Sequence, residues 1–512
     1  MRLWRRVTGL LRWRSGAVSG CGQPGRRVAA AGRGAYEAST SFTVARQVAV
    51  GQSEFPISPG DPNAVQHYRS APQLTPSTVR VITPPRTGAT PGYLFLAPYQ
   101  GRGSPGPMIV DQSGNLVWFH PLPKGIEATN FGVQSYEGKS VLSWWQGRIL
   151  QLGFGEGEDV LYDNSYRALT AVRAGNCYRA DLHEFRLTPQ GIAWIEAFDP
   201  IRVNPRSGHG AAAALTDSVI QEIDVKTGLV MWEWHALAHI PVPESKTPAP
   251  DGNYPWDYIH INSIDPGPRD DVLLSARNSW ALYDVDIHTG AVAWRLGGAH
   301  SSFKLPRAAR FYWQHDAEFQ PGGLISIFDN GSNPPKEKQS RGLLLRPDPG
   351  RRTVSLVSQL VNPRKTLLAE SQGNALGLPG GNWLLGYGRL PNLIEYDAAG
   401  HVLLDATLGA GVQNFKALLA QWSGQPETAP SVAVWSGQSG RVSVAASWNG
   451  ATTVASWRVL AGSSPSTLAP VASAPKLGFE TTMATRAAGR YFAVQALAGS
   501  GAVIGVSATA KL

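Results

Sequence analysis

Cysteine, charge and long apolar runs are all scarce in this chain of 512 residues, and each scarcity excludes something. Two cysteines, Cys21 and Cys177, are too few for a disulfide framework or a cysteine metal site. No stretch of the body reaches the roughly 18 consecutive apolar residues of a spanning helix, so no integral membrane span is expected. Neither a glycine-rich phosphate loop nor a dinucleotide fingerprint is present, which removes the usual nucleotide sites. Charged residues make up only 16%, and the net charge of +9 is concentrated at one end. Residues 1–50 hold nine Arg against one Glu, net +8, so the rest of the chain carries +1. A folded face with a basic stripe is therefore not expected, and a nucleic-acid partner goes with it.

What is plentiful is glycine (56), proline (38) and tryptophan (17), a profile of many short strands joined by turns. Within residues 1–50, Arg5-Arg6 precede VTGLL, and Val18-Ser19-Gly20-Cys21 fits a lipoprotein-type cleavage site. Arg12 and Arg14 interrupt the apolar core such a leader needs. The segment reads as an export signal or as a disordered basic arm, and the first reading places the protein outside the cell or on its surface. Residues 51–90, rich in Pro, Ser and Thr, read as an extended lead-in.

From residue 91 to 422 two repeats alternate. One is an Asp, a nearby Gly and an apolar strand: DQSGNLVW from Asp111, DVKTGLVMW from Asp224, DIHTGAVAW from Asp286, and DAAGHVLLD from Asp397. Asp and Gly supply the turn of a hairpin, and the Trp is expected to pack on a neighbouring sheet. The other is a strand, a Pro/Gly-type turn and a second apolar strand. It starts at Asn130, His183, His260, His315 and Asn374, at spacings of 53, 77, 55 and 59 residues. A four-stranded propeller blade takes about 40–50 residues. The expected fold is therefore all-β, a propeller closed by the strands of 92–120, with six blades. Residues 428–512 change texture to alternating strands with Trp435, Trp448 and Trp457, and read as a small fibronectin-III-like β-sandwich.

In a propeller, equivalent positions of successive blades meet around the axis. Three of the five repeat starts are histidine, so His183, His260 and His315 are expected to converge. Asn262 lies two residues along the strand from His260, and Arg277 ends the paired strand. Asp316, Glu184 and Glu318 are candidates to orient the imidazoles, or else solvated rim residues. Three imidazoles suit Zn²⁺, but a guanidinium in the same pocket repels a cation and suits an oxyanion. The expectation is a site without metal or cofactor, with a neutral imidazole able to act as nucleophile or base.

The segments NFGVQSYEGKSVLSWWQG, ADLHEF, HINSID, LLSARNS, WRLGG, QHDAEF, FDNGS and ESQGNALGLPGGNWLLGYG, in that order, resemble the arylsulfotransferase family. These are the PAPS-independent aryl-sulfate sulfotransferases, and the likeness is greatest to their actinobacterial and fungal branch. The resemblance spans roughly residues 90–410 and implies a six-bladed propeller. It also implies that His315 is the histidine that becomes sulfated, with His183, His260, Asn262 and Arg277 completing the site. An aryl sulfate would then be the donor and a phenol the acceptor. Arg277 and Asn262 would stabilise the sulfuryl oxygens, and His183 or His260 would protonate the leaving phenolate. Two rivals stand beside this reading. A quinoprotein-like dehydrogenase is suggested by D-x-x-T-G-x-x-x-W at Asp224 and Asp286, and would need a quinone or Ca²⁺. A non-catalytic propeller scaffold would tolerate loss of the histidines.

Overall fold

The computed structural model describes residues 65–150, 153–203, 214–250, 254–437, 440–486 and 489–512. The basic leader of 1–50 and the first part of the Pro-rich lead-in lie outside these residues. The described chain is nearly all β, and its one α-helix, Ala236–His239, is a single turn. No described helix is long and apolar enough to cross a membrane.

Five four-stranded or extended antiparallel sheets follow one another along the chain, and a sixth combines strands from its two ends. Sheet I holds Glu127–Tyr136, Lys139–Ile149, Gly155–Tyr162 and Ala168–Val172. Sheet II holds Phe185–Leu187, Ile192–Arg202, Ala214–Asp224 and Val230–His235. Sheet III holds Ile261–Pro266, Asp271–Ala276, Ala281–Asp286 and Val292–Gly297. Sheet IV holds His315–Gln320, Leu324–Asp329, Arg341–Asp348 and Thr353–Leu360. Sheet V runs from Asn374–Gly377 through Trp383–Gly386 and Asn392–Tyr396 to Val402–Leu408, where Val79–Thr83 adds a fifth strand. In sheet VI, Leu418–Ala420 is paired to Tyr93–Leu96, followed by Met108–Val110 and Leu116–Phe119.

Strands of this kind are buried on both faces. Leu324–Asp329, LISIFD, is buried at every position but its first, and an apolar run of that length is the mark of a strand covered on both sides. Each sheet packs on its neighbour through one core. Trp145 and Leu161 of sheet I meet Phe185 and Ile195 of sheet II, and Trp194 and Ile220 meet Ile261 and Val272 of sheet III. Leu273 and Leu282 meet Ile325 and Leu343 of sheet IV, and Phe328 meets Leu385 and Ile394 of sheet V. Leu384 and Leu404 meet Leu94 and Met108 of sheet VI, and Phe95 and Trp118 return to Phe131 and Trp144 of sheet I. The sixth contact closes the cycle. A fully buried Trp such as Trp145, whose Nε1 also donates to Ala180 O at 2.9 Å, is worth about 3–5 kcal/mol against alanine.

The Asp-Gly hairpins serve as turns. At Asp224 and Asp286 one carboxylate oxygen accepts from the backbone N–H and the hydroxyl of a Thr three residues on, and at Asp111 and Asp397 it accepts from two backbone N–H groups. Gly228 and Gly290 take positive φ, 71° and 70°, which glycine alone adopts without strain. Trp232 and Trp294 are half-buried, less covered than the sequence suggests. Within the extended Pro-rich lead-in, Val79–Thr83 pairs with Val402–Leu408.

At the C-terminus, Ser431–Ser436, Val442–Ser447 and Glu480–Thr485 form one sheet. Ser456–Gly462, Ala469–Pro475, Tyr491–Leu497 and Val503–Val506 form a second. The two share a core around Val444, Trp457, Val459, Phe492 and Val494. This part is docked, not tethered. Asn449 exchanges two hydrogen bonds with the Phe119 backbone, both 2.9 Å, and the Tyr166 hydroxyl donates to Gly450 O at 2.8 Å.

A buried ion network ties the inner strands together. Lys416, just before sheet VI, donates to Glu184 Oε2 at 2.8 Å and pairs with Asp316 Oδ1 at 2.7 Å. Arg186 pairs with Glu318 and Glu184. Glu184, Asp316 and Glu318 are thus neither orienting an imidazole nor solvated at a rim, as the sequence suggested. They neutralise Lys416, which is buried, and Arg186, which is partly exposed. Lys416→Met leaves Glu184 without its ammonium and Asp316 with only the Ala375 N–H. The expected loss is about 3–5 kcal/mol in urea unfolding, since breaking a buried pair strands its partner. A loss under 1 kcal/mol would mean the network carries no such burden.

Candidate active site

Three histidines stand where the first strands of consecutive sheets begin: His183 before Phe185–Leu187, His260 before Ile261–Pro266, and His315 opening His315–Gln320. Two of those strands bulge there. Register shifts fall between Ile261 and Ser263 and between His315 and Glu318, and His260 and Asp316 take φ of 52° and 53°. A bulge of this kind re-aims side chains off the ordinary pleat.

The three rings are buried and gathered. His183 and His260 lie with centroids 4.8 Å apart, and Phe415 sits 5.4 Å from His183 and 6.4 Å from His315. His260 stacks at 5.5 Å on Phe198, with Phe154 at 5.7 Å. Arg277 shares this space: its backbone N–H donates to His260 O at 2.9 Å. Its guanidinium lies 5.2 Å over the Trp313 ring and donates to Asn278 Oδ1 at 3.1 Å and Glu370 O at 3.3 Å. Among the described residues no carboxylate pairs with it. Donor capacity and positive charge remain unspent, over the Trp313 ring and acting on His315 and His260. That combination suits an anion carrying an aryl group.

Each imidazole has its own anchor. His183 Nδ1 is held by Asp181 Oδ1, and His260 Nδ1 by Asp257 Oδ2 at 2.5 Å. His315 is held without charge. Its Nδ1 lies 2.7 Å from Asn330 Oδ1 and 3.1 Å from Trp313 O. Asn330 Nδ2 donates to Ala369 O and Gln372 O, at 3.0 and 2.9 Å, so the amide can face His315 only with its oxygen. His315 is therefore protonated at Nδ1 and carries its lone pair on Nε2, where the Gln372 N–H meets it at 3.1 Å. Gln372 itself has φ 63°, an uncommon conformation for a residue with a side chain.

Asn262 departs from expectation. It is fully buried, and its Nδ2 donates to Gln314 O at 2.8 Å, across to sheet IV. Asn130 and Asn374 do the same between other sheets, donating to Leu182 O and Ala417 O at 2.8 Å. The bulge after Ile261 breaks the period-two alternation that would have put Asn262 on the His260 face. Four of the five expected residues, His183, His260, His315 and Arg277, lie close together; Asn262 instead links its strand to the backbone of Gln314. Sequence reasoning missed Asp181, Asp257, Asn330, Gln372 and the phenylalanines. Of these, only Asp181 had a local signal, two residues before His183 in DLHEF.

The electrostatics favour a neutral ring at His315 and at His260. Burial, then Arg277, His183 and His260, push the His315 pKa well below the ordinary 6.5, with Asn330 opposing. Burial also lowers His260, against Asp257. Burial lowers Arg277 too, with Asp257 and Glu370 opposing. Because the folded His315 and His260 resist protonation, kcat/KM for an anionic substrate is expected to hold as pH falls through 6.5, its acid limb lying lower. The same shift costs stability below 6.5, where only the unfolded chain takes up those protons. A pH–rate profile with its acid midpoint at or above 6.5 would contradict this. Asn330→Asp puts a carboxylate on Nδ1 and is expected to move that limb upward. Asn330→Ala is expected to lower kcat about 10–100-fold with little change in KM, the signature of a misplaced ring.

Three buried imidazoles beside a guanidinium that, among the described residues, pairs with no carboxylate define a class: an all-β protein whose successive sheets bring histidines and an arginine together at the start of their first strands. The chain belongs to the arylsulfotransferase (ASST) family, whose model matches residues 132–409, and aryl sulfotransfer is the activity that membership carries. No curated protein matches it in sequence. Similar solved structures include a protein of unknown function from Bacteroides caccae, 14% identical with a TM-score of 0.40, covering 64% of this chain and 99% of that one. A virginiamycin B lyase from Staphylococcus aureus is 9% identical with a TM-score of 0.34, over 72% and 95%. Regucalcin from Agrobacterium tumefaciens, a calcium-binding protein, is 11% identical with a TM-score of 0.31, over 59% and 80%. Likeness at this level says nothing of activity.

Proposed function

We propose that the protein moves a sulfuryl group from an aryl sulfate to a phenol by way of a sulfohistidine on His315. The observation that carries this is the fixed tautomer of His315, which leaves a neutral nitrogen lone pair beside Arg277 in an aromatic-walled pocket. We read the six mutually packed sheets as the blades of a propeller over residues 91–422, and 428–512 as a fibronectin-III-like sandwich.

His315 Nε2 attacks sulfur; the N–S bond forms as the S–O bond to the aryl group breaks, and the electron pair leaves on the phenolate oxygen. Attack exchanges the Gln372 hydrogen bond for the new bond, and the freed N–H then lies beside the sulfuryl oxygens. Arg277 offsets their charge. A donor aimed at developing charge in a dry site is worth roughly 3 kcal/mol. We assign the proton that goes to the phenolate to His183, whose Nδ1 faces the Asp181 carboxylate, because the lowered pKa of His260 leaves that ring without one to give. The proton matters because an unassisted phenol has a pKa near 10. A second phenol then reverses the steps: its oxygen takes the sulfuryl group, the N–S bond breaks, and a site histidine accepts the phenolic proton. Asn262 contributes by fixing the backbone at Gln314, next to the nucleophile.

The Asp-Thr turn bonds at Asp224 and Asp286 favour the structural reading of that motif over a dehydrogenase. Steady-state kinetics test the cycle. Varying a chromogenic aryl sulfate against a phenol acceptor is expected to give parallel double-reciprocal lines, as a ping-pong exchange requires. Intersecting lines would contradict it.

A further inference from the structure

Beneath His183 the fold gathers more carboxylate than it pairs. Asp181, His183 and Glu196 are buried, and each offers one ligating atom, all within 4.8 Å of one another. Asp181 is in use: Oδ1 faces the His183 ring and backbone, and Oδ2 accepts from Gly155 N at 2.5 Å. Glu196 is not. It is fully buried, and neither of its carboxylate oxygens has a hydrogen-bond partner. Its position is fixed by the strand Ile192–Arg202, whose Glu196 carbonyl accepts from Asp181 N at 2.8 Å. Asp159, on Gly155–Tyr162, is likewise fully buried with both oxygens unpartnered, and it lies close enough to Asp181 and Glu184 to feel both charges.

Leaving a buried carboxyl without a donor costs several kcal/mol. Lys416 and Arg186 do not relieve Glu196, since they are committed to Glu184, Asp316 and Glu318. The Ser218 hydroxyl is near Glu196 but forms no hydrogen bond with it. Protonation would remove a charge but create an O–H that needs an acceptor. A cation answers all of these at once.

We propose that Asp181, His183 and Glu196 bind one divalent transition-metal ion, Zn²⁺ or Mn²⁺. One imidazole nitrogen with two carboxylates is a donor set those ions accept, whereas Ca²⁺ takes about 6–8 oxygens and little nitrogen. This departs from the metal-free site the sequence suggested. The argument made there, that a guanidinium repels a cation, concerns Arg277, whose charge acts on His315 and His260. The His183 nitrogen on the Asp181 side is Nδ1. An ion bound there leaves the ring proton on Nε2, so His183 becomes a fixed hydrogen-bond donor.

The test is metal binding by the full chain, independent of catalysis. Protein stripped with EDTA is loaded with Zn²⁺, Mn²⁺ or Ca²⁺, desalted, and assayed for metal content and Tm. One Zn²⁺ or Mn²⁺ retained per chain, with a raised Tm, is expected. Glu196→Gln is expected to weaken Kd at least about 10-fold and to lose the metal-dependent rise in Tm, while His315→Ala keeps both. Retention well below one ion by the wild-type chain, selective retention of Ca²⁺, or unchanged binding in a folded Glu196→Gln would overturn the proposal. An inactive chain that holds one ion upholds it; an active chain that holds none does not.

Discussion

His315→Ala is expected to lower turnover of a chromogenic aryl sulfate by about 10⁴-fold or more, the scale on which a covalent nucleophile is lost. The substitution also opens a cavity and strips Asn330 Oδ1 and the Gln372 N–H of their ring partner, so some stability goes with it. His315→Gln separates the two effects, since it keeps bulk and an amide at the same place. Both variants are expected to be inactive, with only the alanine form markedly less stable. Added imidazole is expected to restore part of the activity to His315→Ala by occupying the space the ring left. Measurable turnover in a folded His315→Gln at a tenth of the wild-type rate would remove His315 from the chemistry.

Arg277→Ala is the second large effect, and it has two readouts. The guanidinium spends only two of its donors, on Asn278 Oδ1 and Glu370 O. Those remaining are the ones available to sulfuryl oxygens. Their loss is expected to reduce kcat about 10²–10³-fold. The charge of Arg277 is also, after burial, the largest influence holding His315 neutral. Its removal is expected to raise the His315 pKa and to move the acid limb of kcat/KM upward. Arg277→Lys keeps the charge but not the fork, so it is expected to recover the pH profile more fully than the rate. A variant with lowered rate and an unmoved acid limb would mean the guanidinium does not act on His315.

The sequence disclosed the repeating strands because each turn carries Asp, Gly or Pro, and it disclosed the histidines because they open the inner strand in three successive sheets. It could not disclose what the neighbouring acids do. Glu184 follows His183 just ahead of its strand and Asp316 sits in the bulge after His315, and both acids turn to Lys416. Lys416 has no local signature in QNFKALLA; its role exists only once sheets II, IV and VI are brought together. Asn262 was misplaced because a bulge is invisible to a period-two count. Asn330 was legible only through register: His315 pairs with Phe328 across the hairpin, which carries FDNGS back to the ring. The strand Val79–Thr83 was hidden among prolines, and its partner lies more than three hundred residues away.

A tautomer locked by one amide and a lone pair aimed at a backbone N–H together make a single nitrogen the acceptor of the transferred group. The decisive measurement is the mass of the His315 peptide after incubation with an aryl sulfate and no phenol. The account requires that peptide to gain one sulfuryl group and to shed it when phenol is added. Steady turnover with the peptide unmodified, or with the group on another residue, would contradict it.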